Sequence, residues 1–255
     1  MDHLSVIKIG GNVVDNPSAL DEFLNNFVSF KGPKILVHGG GVMASNVLKS
    51  MGIEPKMVDG RRITDEPTLK VAVAVYAGWL NKMIVASLQA KGCNAIGLSG
   101  ADCNLIQAVI RPKEPVDFGY VGNVTAVNGA VLQSFINQGL TPVLCAVSHD
   151  CMGNLLNTNA DTIASCTAKA MANLFPTDLI FCFEKDGVLS DPDDNNSVIS
   201  NIDKATYLQL KEAGIISKGM IPKIDNAFAA IEASVSKVII KNALNLNKDI
   251  QTTIA

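Results

Sequence analysis

Two lysines near opposite ends of the chain stand where an ammonium group is costly unless it meets an anion. Lys8 interrupts the apolar stretch Leu4–Ile9, two residues before Gly10-Gly11. A lysine inside a buried strand must be compensated or deprotonated, although an edge-strand lysine that snorkels to water fits the same pattern. Lys223 follows Ser217-Lys-Gly-Met-Ile-Pro and enters the first turn of an apolar-striped helix. There the helix dipole disfavours a cation unless a negative ligand is present, with a solvent-exposed lysine as the plain alternative. Anion binding accounts for both positions.

Between them, Asn157-Thr-Asn-Ala-Asp161 precedes Ile163, Cys166, Thr167, Ala170 and Leu174 at helical spacing, so these short polar residues occupy a helix entrance. Capping of exposed amides explains one or two of them. Asn157, Asn159 and Asp161 at alternate positions exceed that need, and the surplus points to substrate or lysine contacts, with Asp161 suited to orienting cations. In Gly60-Arg-Arg-Ile-Thr64, Arg61 and Arg62 offer guanidinium forks, either of which could clamp a carboxylate or form a surface ion pair. Two glycine turns, Gly10-Gly11 and Gly39-Gly40-Gly41, let backbone amides approach anionic oxygens closely. Neither is GxxxxGK[ST] or GxGxxG. One alone reads as a tight turn; two at successive strand ends read as ligand binding.

The elements that position these residues alternate between two periods. Leu4–Ile9 is a buried strand, residues 16–29 place Leu20, Phe23, Leu24 and Phe27 at helical spacing, residues 34–37 form a second strand, and residues 42–51 a second helix. Short strands recur at residues 94–98, 142–147, 178–183 and 237–240. Such alternation predicts crossover units and a mainly parallel sheet, whose ligands bind beyond the carboxyl ends of the strands. Residues 103–127 differ: two β-like stretches joined by Arg111-Pro-Lys-Glu-Pro115 predict a hairpin beside the sheet, placed to cover a pocket.

A formal net charge of -3 argues against a surface that neutralises many phosphates, so nucleic acid is not an expected partner. Hydrophobic residues make up 48% of the chain, enough for one large core. The six cysteines lie in apolar surroundings without a CxxC pair and read as buried free thiols of a cytoplasmic protein. No secretory signal is read at the start. The apolar run at residues 71–80 is about half a membrane span, hence a buried helix face and no membrane partner.

Seven segments in order make the chain resemble the amino-acid-kinase superfamily and, within it, the N-acetylglutamate kinases, over essentially its whole length. They are Ile7-Lys-Ile-Gly-Gly11, Val37-His-Gly-Gly-Gly41, Gly60-Arg-Arg-Ile-Thr64, Gly97-Leu-Ser-Gly-Ala-Asp102, Gly119-Tyr-Val-Gly122, Asn157-Thr-Asn-Ala-Asp161 and Lys218-Gly-Met-Ile-Pro-Lys223. Each is weak alone; the ordered set is specific. The resemblance implies an α/β fold: a three-layer αβα sandwich around a mainly parallel sheet, the carbamate-kinase-like fold. It implies one domain over residues 1–255, with the acyl-amino-acid site and dimer contacts in a lobe of about 1–175 and the nucleotide site in about 176–255.

The implied activity is ATP-dependent phosphorylation of the side-chain carboxylate of N-acetyl-L-glutamate in arginine biosynthesis. By matching position, Lys8 would bridge the migrating phosphoryl group, Lys223 would stabilise the leaving oxygens, and Asp161 would hold both lysines. Gly40 and Gly41 would contact the acyl amino acid, Arg62 would grip its α-carboxylate, and Asn157, with Asn159 beside it, would hold the acylamide region. Gly10, Gly11, Glu184, Gly187, Ser217 and Gly219 fall where the family meets the nucleotide. A glutamate carboxylate, with a pKa of about 4.3, is already an ionised nucleophile at neutral pH and needs no general base. Magnesium is expected to arrive on ATP, with few or no direct protein ligands.

The chain departs from the family at Glu184-Lys-Asp-Gly187, where a different nucleotide segment is usual. It also enters its first strand without the helical extension of arginine-inhibited hexamers, which predicts an arginine-insensitive homodimer. The nearest rival substrate is N-succinyl-L-glutamate, with Arg61 and the hairpin as the place for its extra carboxylate. Aspartate, glutamate, carbamate and uridylate kinases share the fold but need other residues at the Arg61-Arg62 and Asn157–Asp161 segments. A nucleotide-responsive binding protein of the same fold would be expected to lack Lys8, Asp161 or Lys223.

Overall fold

The computed structural model describes residues 3–58, 60–191, 193–216 and 220–255, with the backbone alone at position 222. β1 (Leu4–Ile9) is followed by one helical turn, α1 (Gly11–Val14), and by α2 (Pro17–Ser29). β2 (Lys34–His38) runs into α3 (Gly41–Ser50), and the antiparallel pair β3 (Met57–Val58) and β4 (Arg61–Arg62) precedes α4 (Glu66–Val73). A π-helical segment, Ala74–Leu80, joins α4 to α5 (Asn81–Ala90). Then come β5 (Ala95–Leu98), β6 (Ile106–Ile110), β7 (Gly122–Val127), α6 (Gly129–Asn137), β8 (Thr141–Cys145), β9 (Val147–His149), β10 (Leu155–Asn157) and α7 (Ala160–Ala172). The chain closes with β11 (Thr177–Phe183), β12 (Asn201–Ile202), α8 (Lys204–Glu212), α9 (Ile221–Ile231), β13 (Lys237–Asn242) and β14 (Thr252–Ile254).

Eight strands form one sheet in the order β12-β14-β13-β11-β1-β2-β8-β5, parallel except where β14 runs against β13. β1 lies inside it, with Lys8 opposite Phe181 on one side and Val37 on the other. Successive side chains of a strand face opposite ways, so Leu4 and Val6 enter one apolar layer and Ile7 and Ile9 the other. The first layer also holds Ile163 and Met171 of α7 and Ile224 and Ala227 of α9; the second holds Phe23 and Phe27 of α2 and Leu48 of α3. The result is the expected three-layer sandwich. Lys8 shares its strand face with Leu4 and Val6, the side covered by α7 and α9.

Local sequence explains where the helices begin. The Asn16 side chain accepts from Ser18 N and Ala19 N, each at 3.1 Å, ahead of Pro17 in the first turn of α2. Asp65 caps α4 through Thr68 N at 2.9 Å. The continuous helix Glu66–Ala90 is long and apolar enough to cross a membrane by length and composition, with a mean hydropathy of 1.5. Its apolar side, including Val71, Leu80, Ile84 and Leu88, is buried against the sheet, which makes it a core helix.

Two expectations are corrected, and a third is made more specific. Residues 142–147 are not one strand: the chain bends at Ala146, leaving β8 in the large sheet while β9 joins a second sheet of order β10-β9-β6-β7. The predicted hairpin beside the large sheet is present as antiparallel β6 and β7, and it forms part of that second sheet. The six free cysteines are not uniformly buried: Cys103 and Cys151 are exposed. Both occupy positive-φ turn positions, at 53° and 60°, in polar loops.

Candidate active site

The carboxyl ends of β1 and β11 and the first turns of α7 and α9 meet around a cleft of about 220 Å³. Asn159 starts α7 by accepting from Asp161 N at 2.8 Å and Thr162 N at 3.2 Å. Asp161 is thereby fixed in the first turn, over the strand face that carries Lys8. Lys8 Nζ lies 2.7 Å from Asp161 Oδ1, with the two side chains 15% and 25% exposed, a pair shielded from water but open on one side. Lys223 lines the same cleft, its ammonium 5.6 Å from the centre of the Phe183 ring. Burial pushes the Asp161 carboxyl up, but the charge and hydrogen bond of Lys8 and the charge of Lys223 outweigh it and hold the pKa below the ordinary value. The group is therefore ionised at neutral pH.

Gly10, Gly11, Asn12 and Glu184 complete the cleft. Among the described residues, a methyl group at Gly10 or Gly11 would meet no atom closer than 3.5 Å, and neither glycine has a positive φ. The fold itself does not demand glycine here; the open backbone leaves room for a ligand.

On the other side of the α7 entrance lies a pocket of about 320 Å³. Arg62, only 5% exposed, donates through Nη2 to the Gly41 carbonyl at 2.7 Å and to Ser45 Oγ at 2.8 Å. Its Nε and Nη1 are buried with no hydrogen-bond acceptor among the described residues. Unpaired buried donors are costly, so a guanidinium in this condition is prepared for an anion. Arg61 and Arg111 also line the pocket, and no described lining residue is acidic. Arg111 is held by Asn123 Oδ1 at 3.1 Å and by the face of Phe118.

The glycine turn forms the pocket's base. Gly40 has φ 155°, and a methyl group there would lie 2.3 Å from Leu80 Cδ1 and 2.9 Å from Tyr76 Cδ1, so any other residue would force the turn or the long helix to shift. Asn157 is buried and donates to Thr64 Oγ1 at 2.9 Å, which ties the α7 entrance to the arginine segment. Asn159 lines the pocket while its carbonyl oxygen caps the helix, so the capping and ligand readings of that residue coexist.

The structure thus gathers Lys8, Gly10, Gly11, Asp161, Glu184 and Lys223 in one cleft. Gly40, Gly41, Arg62, Asn157 and Asn159 share the other pocket. Gly187 stands apart from both: it is buried under β14, where a methyl group would lie 2.6 Å from Thr252 Oγ1. Ser217 and Gly219 lie outside the described residues. Sequence reasoning missed Asn12, Tyr76, Arg111 and Asn123. Only Arg111 carried a signal, as a cation in the segment that joins the strands of the predicted hairpin.

Comparison with known proteins agrees with this geometry. The sequence profile of the amino acid kinase family matches residues 3–242. The acetylglutamate kinase of Cytophaga hutchinsonii is 52% identical over 259 aligned positions, covering 99% of this chain and 98% of that protein. That of Phocaeicola vulgatus is 51% identical over 253 positions, with the same coverage of 99% and 98%. The solved carbamate kinase of Giardia lamblia, bound to AMP-PNP, shares the fold with a TM-score of 0.68 at 17% identity, over 98% of this chain and 97% of that one.

Proposed function

The chain belongs to the amino acid kinase family, and from that premise we propose that it transfers the γ-phosphoryl group of ATP to the side-chain carboxylate of N-acetyl-L-glutamate, a step of arginine biosynthesis. The observation that carries this reading is the adjacency of the two cavities across the first turn of α7. One holds a buried arginine with unused donors, the other two ammonium groups around a carboxylate. An acyl glutamate whose α-carboxylate pairs with Arg62 directs its side chain past Asn157 and the Gly40-Gly41 turn towards Lys8.

The nucleophile is already ionised, so the protein's work is alignment and charge neutralisation. Lys8 and Lys223 approach the transferring group from β1 and α9, and Asp161 keeps Lys8 from rotating away. The open backbone at Gly10-Gly11 and the Asn12 side chain receive phosphate oxygens, with Glu184 at the nucleotide side. Asp161 is committed to Lys8, which suits a magnesium ion carried by ATP rather than held by a cage of carboxylates. Magnesium bound with ATP would supply further charge neutralisation at the phosphates.

The acyl pocket is built from residues before about 175. The nucleotide cleft takes Lys8, Gly10, Gly11, Asn12 and Asp161 from before that point and Glu184 and Lys223 from after it, so a nucleotide lobe of about 176–255 would share its site with the first lobe. The sheet itself is continuous across that point. Six free cysteines accord with a cytoplasmic enzyme. A homodimer is supported by the outer face of the long helix, where Trp79 is 63% exposed beside exposed Ala74 and Gly78.

Arg61 and Arg111 in the pocket favour a second reading of the acyl group, as succinyl, because an added carboxylate would meet guanidinium groups and no acid. A hydroxamate assay for acyl phosphate with ATP and either N-acetyl- or N-succinylglutamate tests both. Turnover of the acetyl compound with the larger kcat/KM is expected; a large ratio in favour of succinyl replaces the first reading by the second, and no acyl phosphate with either rejects the activity.

A further inference from the structure

His38 closes β2 immediately before the glycine turn, and its side chain is fully buried. Its Nδ1 lies 2.8 Å from the carbonyl oxygen of Gly39, and its Nε2 lies 3.1 Å from Nδ2 of Asn81, the first residue after the π-helical segment. A carbonyl only accepts, so Nδ1 must carry the proton. Asn81 Nδ2 also donates to the Val143 carbonyl at 3.0 Å, which leaves Nε2 bare to accept its other hydrogen. Asn81 is in turn held by its surroundings. Its Oδ1 accepts from Lys82 Nζ at 3.2 Å, and it fills the space where a methyl group on Gly97 would stand, 2.0 Å away.

These contacts aim one peptide plane. In a trans peptide the carbonyl of Gly39 and the N–H of Gly40 point in opposite directions. Holding the carbonyl to the imidazole therefore turns the Gly40 N–H away from the core. Among the described residues that N–H has no acceptor, and Gly40 lines the acyl pocket. Gly40 is also seated against Tyr76 and Leu80 of the π-helical segment, so one helix braces the turn at two points.

We propose that His38, held as its Nδ1–H tautomer by Asn81, is a positioning residue that aims the Gly40 amide at the acyl amino acid. This rests on the reading of the pocket as the acyl-glutamate site. His38 touches no reacting atom; it acts through the Gly39-Gly40 peptide.

Two amide replacements separate the two ring nitrogens. In His38→Asn the side-chain amide nitrogen falls near the place of Nδ1 and keeps the donor to Gly39. In His38→Gln the amide group reaches the place of Nε2 and keeps contact with Asn81 but loses that donor. The expected result is a KM for N-acetylglutamate raised about tenfold or more in His38→Gln, with His38→Asn within about threefold of the parent and KM for ATP changed less than about twofold in both. Equal effects of the two variants on both KM values overturn the proposal, because a purely structural role does not separate the substrates.

A second measurement needs no variant. Long-range proton–nitrogen NMR of the substrate-free protein reports which imidazole nitrogen of His38 is protonated, and the Nδ1–H form is expected. The Nε2–H form overturns the proposal even if both variants fail to fold. Absence of acyl phosphate from the parent enzyme refutes the activity itself and is seen independently of the tautomer.

Discussion

Lys8 and Asp161 meet at 2.7 Å although one sits inside the first strand and the other opens a helix in the second half of the chain. The strand's alternation turns Lys8 towards α7, and the Asn159 cap sets the turn on which Asp161 stands. Lys223 faces the same carboxylate from α9. Two cations share one anion, a charge imbalance that a triphosphate resolves.

Removing either ammonium should therefore affect turnover more than binding of the acyl amino acid. Lys8→Ala and Lys223→Ala are each expected to lower kcat by about 10²–10³-fold, with KM for the acyl substrate nearly unchanged. Initial rates in the hydroxamate assay decide this; parent-like kcat in both variants removes the lysines from the mechanism.

Asp161 sets an acid limit on stability. Its folded pKa is held below the unfolded value of about 3.9, so the pairing contributes stability above that pH and loses it as pH falls through the folded pKa. Asp161→Asn should flatten the decline of Tm below about pH 4 while lowering Tm at neutral pH, where Lys8 is left uncompensated. Thermal melts from pH 2 to 7 read both effects.

A second acid-sensitive window belongs to His38. Burial, opposed by the Gly39 hydrogen bond and aided by the charge of Lys82, pulls its pKa down to about 4. The unfolded chain binds this proton near pH 6.5. Stability is thus complete above about 6.5 and falls as pH drops towards 4, with a slope of at most about 1.4 kcal/mol per pH unit. Urea titrations of the parent and His38→Asn between pH 4 and 7 should differ by that slope; parallel curves contradict it.

Gly40→Ala tests the bracing of the glycine turn. A methyl group 2.3 Å from Leu80 Cδ1, on a backbone with φ 155°, forces the long helix or the turn to move. A loss of about 1–3 kcal/mol is expected, with weaker acyl-substrate binding. Leu80→Ala in the same protein should recover part of the stability, and absence of any recovery places the strain elsewhere.

The proposed dimer face is tested by charge. Trp79→Glu puts a carboxylate on the exposed side of the long helix and is expected to give monomers at micromolar concentration by light scattering, with the far-ultraviolet spectrum unchanged. A parent protein that is itself monomeric removes the premise.

The parts of the molecule written in local patterns were legible in the sequence. Short continuous apolar runs marked β1, β2, β11 and β13, the spacing of Leu20, Phe23, Leu24 and Phe27 marked α2, and the polar cluster Asn157–Asp161 marked the start of α7. Lys8 stood out because a charge in an apolar strand is locally anomalous. Contacts made only by tertiary packing left no such trace. His38 reads as an ordinary strand-end residue until Asn81 is brought beside it, and Asn12, Tyr76 and Asn123 are unremarkable polar or aromatic positions until the sheet assembles. Strand β14 was missed because three residues pairing antiparallel at the edge carry too short an alternation. The bend at Ala146 depends on a second sheet that recruits strands from distant segments.

The position of β1 has a consequence for how the protein is made. β1 takes its final place between β2 and β11, so one of its two hydrogen-bonding edges has no neighbour until residues 177–183 have been synthesised. A nascent chain paused before that point presents a bare apolar ribbon, Leu4–Ile9, to whatever chaperones patrol the exit tunnel.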